Sequence, residues 1–319
     1  MKEKKVIRHP AGDLIDFETV FIENPEIEGV PQRTGRFERL DYTTDVYEDG
    51  KTYPKYCYVY LPWGYDPEDM EKRYNVLYYQ HGNTCEPELF VGEYQSRFDK
   101  LFEAEEIEPC LIVCTTYYFD LEKDRDERKK TGRVPAGDGQ WKGIKGNFYL
   151  EVIRNIIPAV ELKYNTYLTS GSDASIRATR DHRAFSGYSR GSGTTWCMFH
   201  HILPYFRWFA PMSCHCTAGK IVFDPLTIEE VVDYLQEPVQ KNPGLPFFIF
   251  ATNGGPEDVQ KMNEQMKVIT KLPEFSYGKD PRVNNIYYSV SDFPHTDLLV
   301  PYYYFNSLQP LFKAYSTAC

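Results

Sequence analysis

Residues 181–203, DHRAFSGYSRGSGTTWCMFHHIL, decide the fold. HRAFS is a short apolar run with the composition of a strand, and GTTWCMFHHIL continues as a helix. Between them Gly187-Tyr188-Ser189-Arg190-Gly191 forms a G-x-S-x-G pentapeptide. A strand that turns abruptly into a helix at such a pentapeptide lifts the serine oxygen above the edge of a sheet, and the glycines leave room for the turn. Glycine and serine are common, so the pentapeptide alone is a weak signal and could be a glycine turn with a capping serine. Its place between an apolar strand and a helix gives it weight and makes Ser189 a candidate nucleophile.

Outward from this stretch the chain alternates strand-like and helix-like segments. GRFERLDYTTDVY (35–47) and YPKYCYVYLP (53–62) read as a strand pair joined by the turn EDGK, and YNVLYYQHG (74–82) and PCLIVCTTYYF (109–119) read as buried strands. NFYLEVIRNIIPAVELK (147–163) has helical spacing at Phe148, Val152, Ile156 and Val160. FRWFAPMS, LPFFIFATN and NNIYYSVSDF are three further strands, with helical composition near 226–240 and 257–271. Such alternation, from about residue 75 onward, predicts an α/β fold with a mostly parallel central sheet and helices on both faces. The first 36 residues, with prolines at 10, 25 and 31, read as an arm or a short hairpin, and residues 37–319 as a single domain without internal repeat or linker. The charged run 120–133, DLEKDRDERKKTGR, reads as a solvated loop, or as a flap over the site.

The composition narrows the function classes. The 319 residues are 42% hydrophobic and 26% charged, which suits a globular domain with a sizeable core. The net charge of -10 and the lack of a basic stretch interleaved with aromatics argue against nucleic acid, and an acidic surface is repelled by anionic membranes. Neutral polymers or small esters are the expected partners. The N-terminus MKEKKVIRHPAGDLIDF has no apolar run behind its positive charge, and no stretch of about 18 apolar residues occurs. The sequence as it stands therefore reads as cytoplasmic, although export with removal of a leader would leave the same sequence. Eight cysteines, several within apolar runs, read as buried reduced thiols and not as a disulfide framework.

A serine hydroxyl needs a base to take its proton. His182 begins the strand that leads to Ser189 and is held away from it; His200 and His201 lie about three turns down the following helix. His295, in SDFPHTD just after the last strand, is the best base, because in a sheet of this kind the order is serine, acid, histidine. The acid belongs at the end of an intervening strand, and LPFFIFATNGGPEDV offers Asp258, with Glu257 beside it; the alternative for both is charge at a helix N-terminus. Two backbone N–H groups should face the tetrahedral oxygen, one from Arg190 and one from Asn83 in His81-Gly82-Asn83-Thr84. His215 could also reach the site. Cys214-His215-Cys216 is a weak zinc signal without a second ligand pair, and reads better as a loop lining the acyl pocket. No cofactor or metal is expected. Trp141, in DGQWKGIKGN, is a candidate substrate contact, while the many tyrosines read mainly as core.

Taken together, YVYLPWGYDP, YNVLYYQHGN, NFYLEVIRNIIPAVE, DHRAFSGYSRG, FRWFAPMS, IFATNGGPED and the late His295 resemble the family-one carbohydrate esterases, which include feruloyl and acetyl xylan esterases attached to bacterial xylanases. The resemblance runs from about residue 37 to 314. It implies an α/β-hydrolase fold without a metal, hydrolysis of feruloyl or acetyl esters on plant xylan, a triad on Ser189, Asp258 and His295, and oxyanion donors on Arg190 and Asn83. The sequence departs from the family where Arg190 replaces the usual Met, Ser192 the usual Gly, and Ser213-Cys214-His215-Cys216 an SGD-like strand end. It is also somewhat similar to the S-formylglutathione hydrolases. The expected function is a serine carboxylic-ester hydrolase acting on feruloylated xylan. The other readings are an acetyl xylan esterase, a cytosolic thioesterase or carboxylesterase, and a carbohydrate-binding protein that has lost its chemistry.

Overall fold

The computed structural model describes residues 5–9, 19–23, 27–47, 50–83, 85–88, 90–104, 107–118, 126, 130, 147–220, 224–254 and 256–312; at 5–9, 92, 93, 256–258 and 297 it describes the backbone alone. Along the chain come β1 (Lys5–His9), β2 (Thr19–Glu23), β3 (Arg36–Thr44), β4 (Tyr53–Leu61), β5 (Val76–Gln80), α1 (Gln95–Glu103) and β6 (Leu111–Thr115). Helix α2 runs on through Phe148–Glu151, Val152–Ile156 and Ile157–Glu161. There follow α3 (Asp173–Ala178), β7 (Arg183–Tyr188), α4 (Arg190–Ile202), β8 (Trp208–Met212), α5 (Ile228–Lys241), β9 (Phe248–Asn253), α6 (Pro256–Ile269), β10 (Ile286–Val290) and α7 (Val300–Leu308).

Eight strands form one sheet in the order β10-β9-β8-β7-β5-β6-β4-β3. The six from β10 to β6 run parallel, and β4 and β3 add an antiparallel edge. Every residue of β5, β6, β7, β8, β9 and β10 is buried, as a sheet covered on both faces requires, whereas the edge strand β3 exposes about half of its length. Alternate side chains feed two cores. Val76, Tyr78, Val113, Phe185 and Ile249 pack with α2, α4, α5 and α6 on one face, and Leu77, Tyr79, Ile112, Trp208 and Phe250 pack with α1 and α7 on the other.

The i, i+4 stripe of α2 is as the spacing predicts, with Phe148, Val152, Ile156 and Val160 fully buried. Its middle turn widens, because Ile157 N–H reaches back five residues to Val152 O just before Pro158, which has no N–H to continue the ladder. The antiparallel ribbon β1–β2 docks beside β10. Phe21 is fully buried, Ser289 Oγ donates to Val20 O (2.6 Å), and the Asn306 side chain of α7 accepts from Ile22 N (2.8 Å) and donates to Ile22 O (2.9 Å). The tyrosines of YYYF (302–305) lie in α7, where Tyr303 and Tyr304 are fully buried. The run 120–133 falls outside the described residues apart from Asp126 and Lys130.

At the opposite end of the sheet from the elbow, Arg183 at the start of β7 grips Glu161 at the end of α2 through two bonds of 2.6 and 2.8 Å. Tyr78 donates to the same carboxylate (2.7 Å), and both ionic side chains are excluded from water. Removing one partner would leave the other charge buried without its counter-ion. Arg183→Met is therefore expected to cost about 3–5 kcal/mol in urea unfolding, and a loss below about 1 kcal/mol would show that the pair does not hold α2 to the sheet.

Candidate active site

The chain leaves β5 for β6 on one side and returns to β7 on the other, so the topological switch lies between the C-terminal ends of β5 and β7, where open α/β sheets form their crevice. Ser189 stands at this point. It has φ 57° and ψ -115° and links the last residue of β7 to the first of α4. A non-glycine residue in this region carries roughly 1–3 kcal/mol of strain. It is held by its own N–H donating to Met212 O at the end of β8 (2.8 Å) and by its carbonyl accepting from Ser192 N (2.9 Å).

The flanking glycines are required by close approach. A Cβ at Gly191 would sit 2.1 Å from Gln80 O, and one at Gly187 would sit 2.4 Å from Gly191 O. The elbow is thus pressed against the end of β5. Gly82 follows β5 so closely that a Cβ there would lie 3.4 Å from Ser189 Cβ. The loop carrying Asn83 therefore passes directly beside Ser189.

His295 sits on the loop after β10 with its ring exposed to solvent. Its Nε2 is 2.9 Å from Ser189 Oγ, and its Nδ1 is 3.1 Å from Ser213 Oγ. Ser213 Oγ also lies 3.2 Å from Gly254 O, which can only accept. With the Ser213 hydrogen committed to that carbonyl, its oxygen is left to accept from Nδ1–H, so that Nε2 faces Ser189 with its lone pair. Ser213 itself has φ 59° and follows β8 directly. Gly254 lies where a side chain would strike Tyr303 Oη at 2.5 Å and Ser291 Oγ at 2.6 Å. Asp258 and Glu257 fall in the first turn of α6, and their side chains lie outside the described residues.

The loop after β5 is braced from below. His81 is fully buried; its Nδ1 lies 2.8 Å from Gly82 O, Tyr117 Oη donates to the same oxygen (2.9 Å), and Thr116 Oγ1 lies 2.9 Å from His81 Nε2. Residues 116–118 are held in turn by Lys55, whose ammonium donates to Thr116 O (3.2 Å) and Tyr118 O and pairs with Glu151 at 3.1 Å, both side chains fully buried. Tyr42 Oη (2.6 Å) and Tyr47 Oη donate to Glu151 as well. Arg190 opens α4, so its backbone N–H points out of the positive end of the helix toward the crevice, and Asn83 is exposed at the tip of the facing loop.

Of the other predicted contacts, Cys214 serves the framework: its carbonyl accepts from Ser192 Oγ (2.9 Å) and Trp196 Nε1 (3.3 Å), and its side chain is buried. His215 is buried two residues beyond Ser213 and lines a cavity between α5 and α6. Trp141 lies outside the described residues. Among the described residues, no group of three or more His, Cys, Asp or Glu is placed to hold a metal ion. Seven cysteines are described and all are free thiols; burial pushes Cys57 up to about 12 and raises Cys110, Cys114 and Cys216, so they stay protonated and unreactive. His182 bonds Asn75 Oδ1 (2.8 Å), and His200 bonds Tyr234 O (2.8 Å), both away from the elbow. Ser213 and His81 stood in the quoted motifs without these roles, and Lys55 was not singled out from the sequence. Lys55 carried a signal, a lone charge inside the apolar strand YPKYCYVYL; Ser213 carried only its place at the end of a strand.

Two outcomes follow from this geometry. Gly191→Ala, forced against a backbone oxygen, should lose at least about 2–3 kcal/mol of unfolding free energy. Gly193→Ala, with nothing within 4 Å of the new methyl, should be neutral or gain up to about 1 kcal/mol as a helix former replaces glycine; equal losses in the two would refute the close-approach argument. Ser213→Ala should lower kcat about tenfold or more with KM little changed, because the imidazole loses one of the groups that fix its tautomer. Unchanged kcat would show that the contact is idle.

No protein-family model matches the chain. Endo-1,4-beta-xylanase Y of Acetivibrio thermocellus is 30% identical over 266 residues, which is 81% of this chain and 21% of that protein. The chain thus spans about a fifth of the length of that relative. Among solved structures, one of an FAE superposes with a TM-score of 0.73 at 27% identity, covering 92% of this chain and 93% of the other. The feruloyl esterase module from Clostridium thermocellum, complexed with sinapinate, gives 0.72 at 28% identity, with 98% and 95% covered. The CE1 ferulic acid esterase of Anaeromyces mucronatus shares the fold, with a TM-score of 0.58 at 18% identity and 98% and 99% covered. With an eight-stranded, mostly parallel sheet and a serine on the elbow after β7, the chain has the α/β-hydrolase fold and is similar along nearly its whole length to feruloyl esterase modules.

Proposed function

We propose that the chain hydrolyses hydroxycinnamoyl esters, feruloyl above all, carried on xylan-derived carbohydrate. The observation that carries this reading is the 2.9 Å contact between His295 Nε2 and Ser189 Oγ at a strained elbow, within a fold shared with feruloyl esterase modules. In the first step Ser189 Oγ attacks the ester carbonyl carbon while its proton passes to His295 Nε2. The C=O electron pair moves onto the oxygen, which the backbone N–H groups of Arg190 and Asn83 receive. As the tetrahedral adduct collapses, the C–O bond to the sugar breaks, and the imidazolium returns its proton to the departing alkoxide. Water then enters, gives a proton to Nε2 and attacks the acyl carbonyl; as this second adduct collapses the C–Oγ bond breaks, the imidazolium returns the proton to Ser189 Oγ, and the free acid leaves.

In this scheme Asp258, in the first turn of α6, supplies the carboxylate that stabilises the imidazolium. Both oxyanion donors are main-chain groups, so Arg190 in place of the family's usual methionine does not bear on that function. Ferulate and acetate esters share every step and differ only in the acyl group. Ferulate is preferred because the similar module from Clostridium thermocellum is complexed with sinapinate, a hydroxycinnamate.

The test is ferulate release from methyl ferulate and feruloylated arabinoxylan, run beside acetate release from acetylated xylan. Ser189→Ala and His295→Ala should each lower ferulate release by about 10,000-fold or more while the protein stays folded. Release that survives in Ser189→Ala would remove the nucleophile assignment. Acetate release without ferulate release would move the substrate to acetyl xylan.

A further inference from the structure

Among the described residues, Trp63 is the largest apolar side chain left in water, at 59% exposure. It stands at the corner of the tight turn that follows β4, where Tyr65 N–H donates to Pro62 O (3.0 Å) and Gly64 takes a φ of 75°. A single exposed hydrophobic residue is ordinary; Trp63 differs in what surrounds it. A cavity of about 60 Å³ opens at its side, lined also by Arg33, Tyr60, Asp99, Phe102 and Glu103. The Arg33 guanidinium lies 5.1 Å from the centre of the indole and steadies the ring from that side.

The two carboxylates of the cavity are not alike. Glu103 has its acceptors in use, one oxygen taking the N–H groups of Gln32 and Arg33 and the other the ammonium of Lys100 (3.0 Å). Asp99 is 2% exposed; its Oδ1 accepts from Gly35 N (2.7 Å) and from Tyr60 Oη, and its Oδ2 is buried with no hydrogen-bond partner. A carboxylate oxygen removed from water without a donor is costly. The cavity is the way by which a donor can come to it.

This place is far from Ser189. β4 runs against the parallel strands, and Tyr60 is paired with Ile112 near the start of β6, so Trp63 lies at the N-terminal end of the parallel strands. Ser189 follows the C-terminal end of β7, a strand's length away, on the order of 15 Å or more.

Charge and volume narrow the ligand. An incoming cation would meet the guanidinium of Arg33, and an anion would meet the carboxylates of Asp99 and Glu103. What fits is a neutral group that donates a hydrogen bond and carries an apolar face for the indole. A sugar ring has both, hydroxyls at its edge and a face of C–H groups. The cavity volume is about that of two waters, room for a hydroxyl on its carbon and not for a ring, so the ring has to rest outside against Trp63. Resting on the esterase reading above for the identity of the polymer, we propose that Trp63 and Asp99 form a second carbohydrate site, remote from Ser189, in which a xylan sugar stacks on the indole and passes one hydroxyl into the cavity to donate to Asp99.

The test is electrophoresis of the native protein through gels containing ester-free arabinoxylan, which slows a protein that binds it. Trp63→Ala, an exposed position where folding is not at stake, should weaken binding about tenfold. Asp99→Asn keeps an oxygen for Gly35 and Tyr60 and should weaken it about fivefold, with a thermal melt to check that it folds. Val283→Ala, 72% exposed and outside the cavity, should bind as the wild type does. Trp63→Ala should also lower ferulate release from feruloylated arabinoxylan while leaving kcat/KM on methyl ferulate unchanged. Absence of retardation in the wild type, retardation that Trp63→Ala leaves intact, or an equal loss on methyl ferulate would overturn the site. Loss in Trp63→Ala but none in a folded Asp99→Asn would overturn the hydroxyl contact, and retardation by a mixed-linkage β-glucan but not by arabinoxylan would overturn xylan as the ligand. Trp63-dependent binding by a protein that cleaves no ester would overturn the esterase reading and leave the site standing.

Discussion

The whole site depends on one steric contact, the backbone of the elbow against the carbonyl of Gln80 at the end of β5. The 2.1 Å that a Cβ at Gly191 would have to share with that oxygen shows how little space separates the two chains. Because β5 and β7 are hydrogen-bonded neighbours in a fully buried sheet, neither can yield. The turn into α4 must therefore be made within one residue, and Ser189 takes it with a positive φ. Its strain is offset by the sheet and not by anything local. The same contact brings the loop after β5 within van der Waals distance of Ser189, so the proposed nucleophile and the proposed oxyanion site are set by a single constraint.

Buried polar groups then convert that rigid frame into oriented side chains. Gly82 O is held by two donors, His81 Nδ1 and Tyr117 Oη, and His81 is fixed by Thr116. Beneath them the Lys55–Glu151 pair holds the carbonyls of residues 116 and 118. Replacing such a pair with apolar residues of equal volume often costs nothing in stability. Its value here lies in direction: an ammonium with three donors can hold two carbonyls and a carboxylate at once, and a hydrocarbon cannot. Ser213 does the equivalent for His295 with a hydroxyl that donates on one side and accepts on the other.

The legible part of the sequence was the part governed by periodicity and local sterics. Continuous apolar runs such as LIVCT and FIFATN announce strands buried on both faces, and the stripe of α2 announces its buried side. G-x-S-x-G between strand and helix announces an elbow, and the late position of His295 follows from chain order. What could not be read is what depends on residues distant in sequence. Nothing in SCHC says that the hydroxyl of Ser213 will meet an imidazole 82 positions later, or that Cys214 will serve through its carbonyl. The widened turn in α2 could have been suspected from Pro158 but not located, because the ladder can adjust on several residues before a proline. Lys55 stood out as a charge in an apolar strand, yet its partner comes 96 residues later, on α2.

The groups proposed for the chemistry stand where the fold leaves them least freedom. Ser189 takes the turn between β7 and α4, Asn83 lies on the loop after β5, and His295 lies on the loop after β10. Each is held by its neighbours' main chain: Ser189 by Met212 O and Ser192 N, and the Ser213 hydroxyl that meets His295 by Gly254 O. A side chain at Gly191 or Gly254 would collide with this frame, at 2.1 Å from Gln80 O or 2.5 Å from Tyr303 Oη. Arg190 is the contrasting case. Its side chain can differ from methionine while its N–H stays at the first turn of α4, so the elbow tolerates a change at residue 190 that it cannot tolerate one residue later.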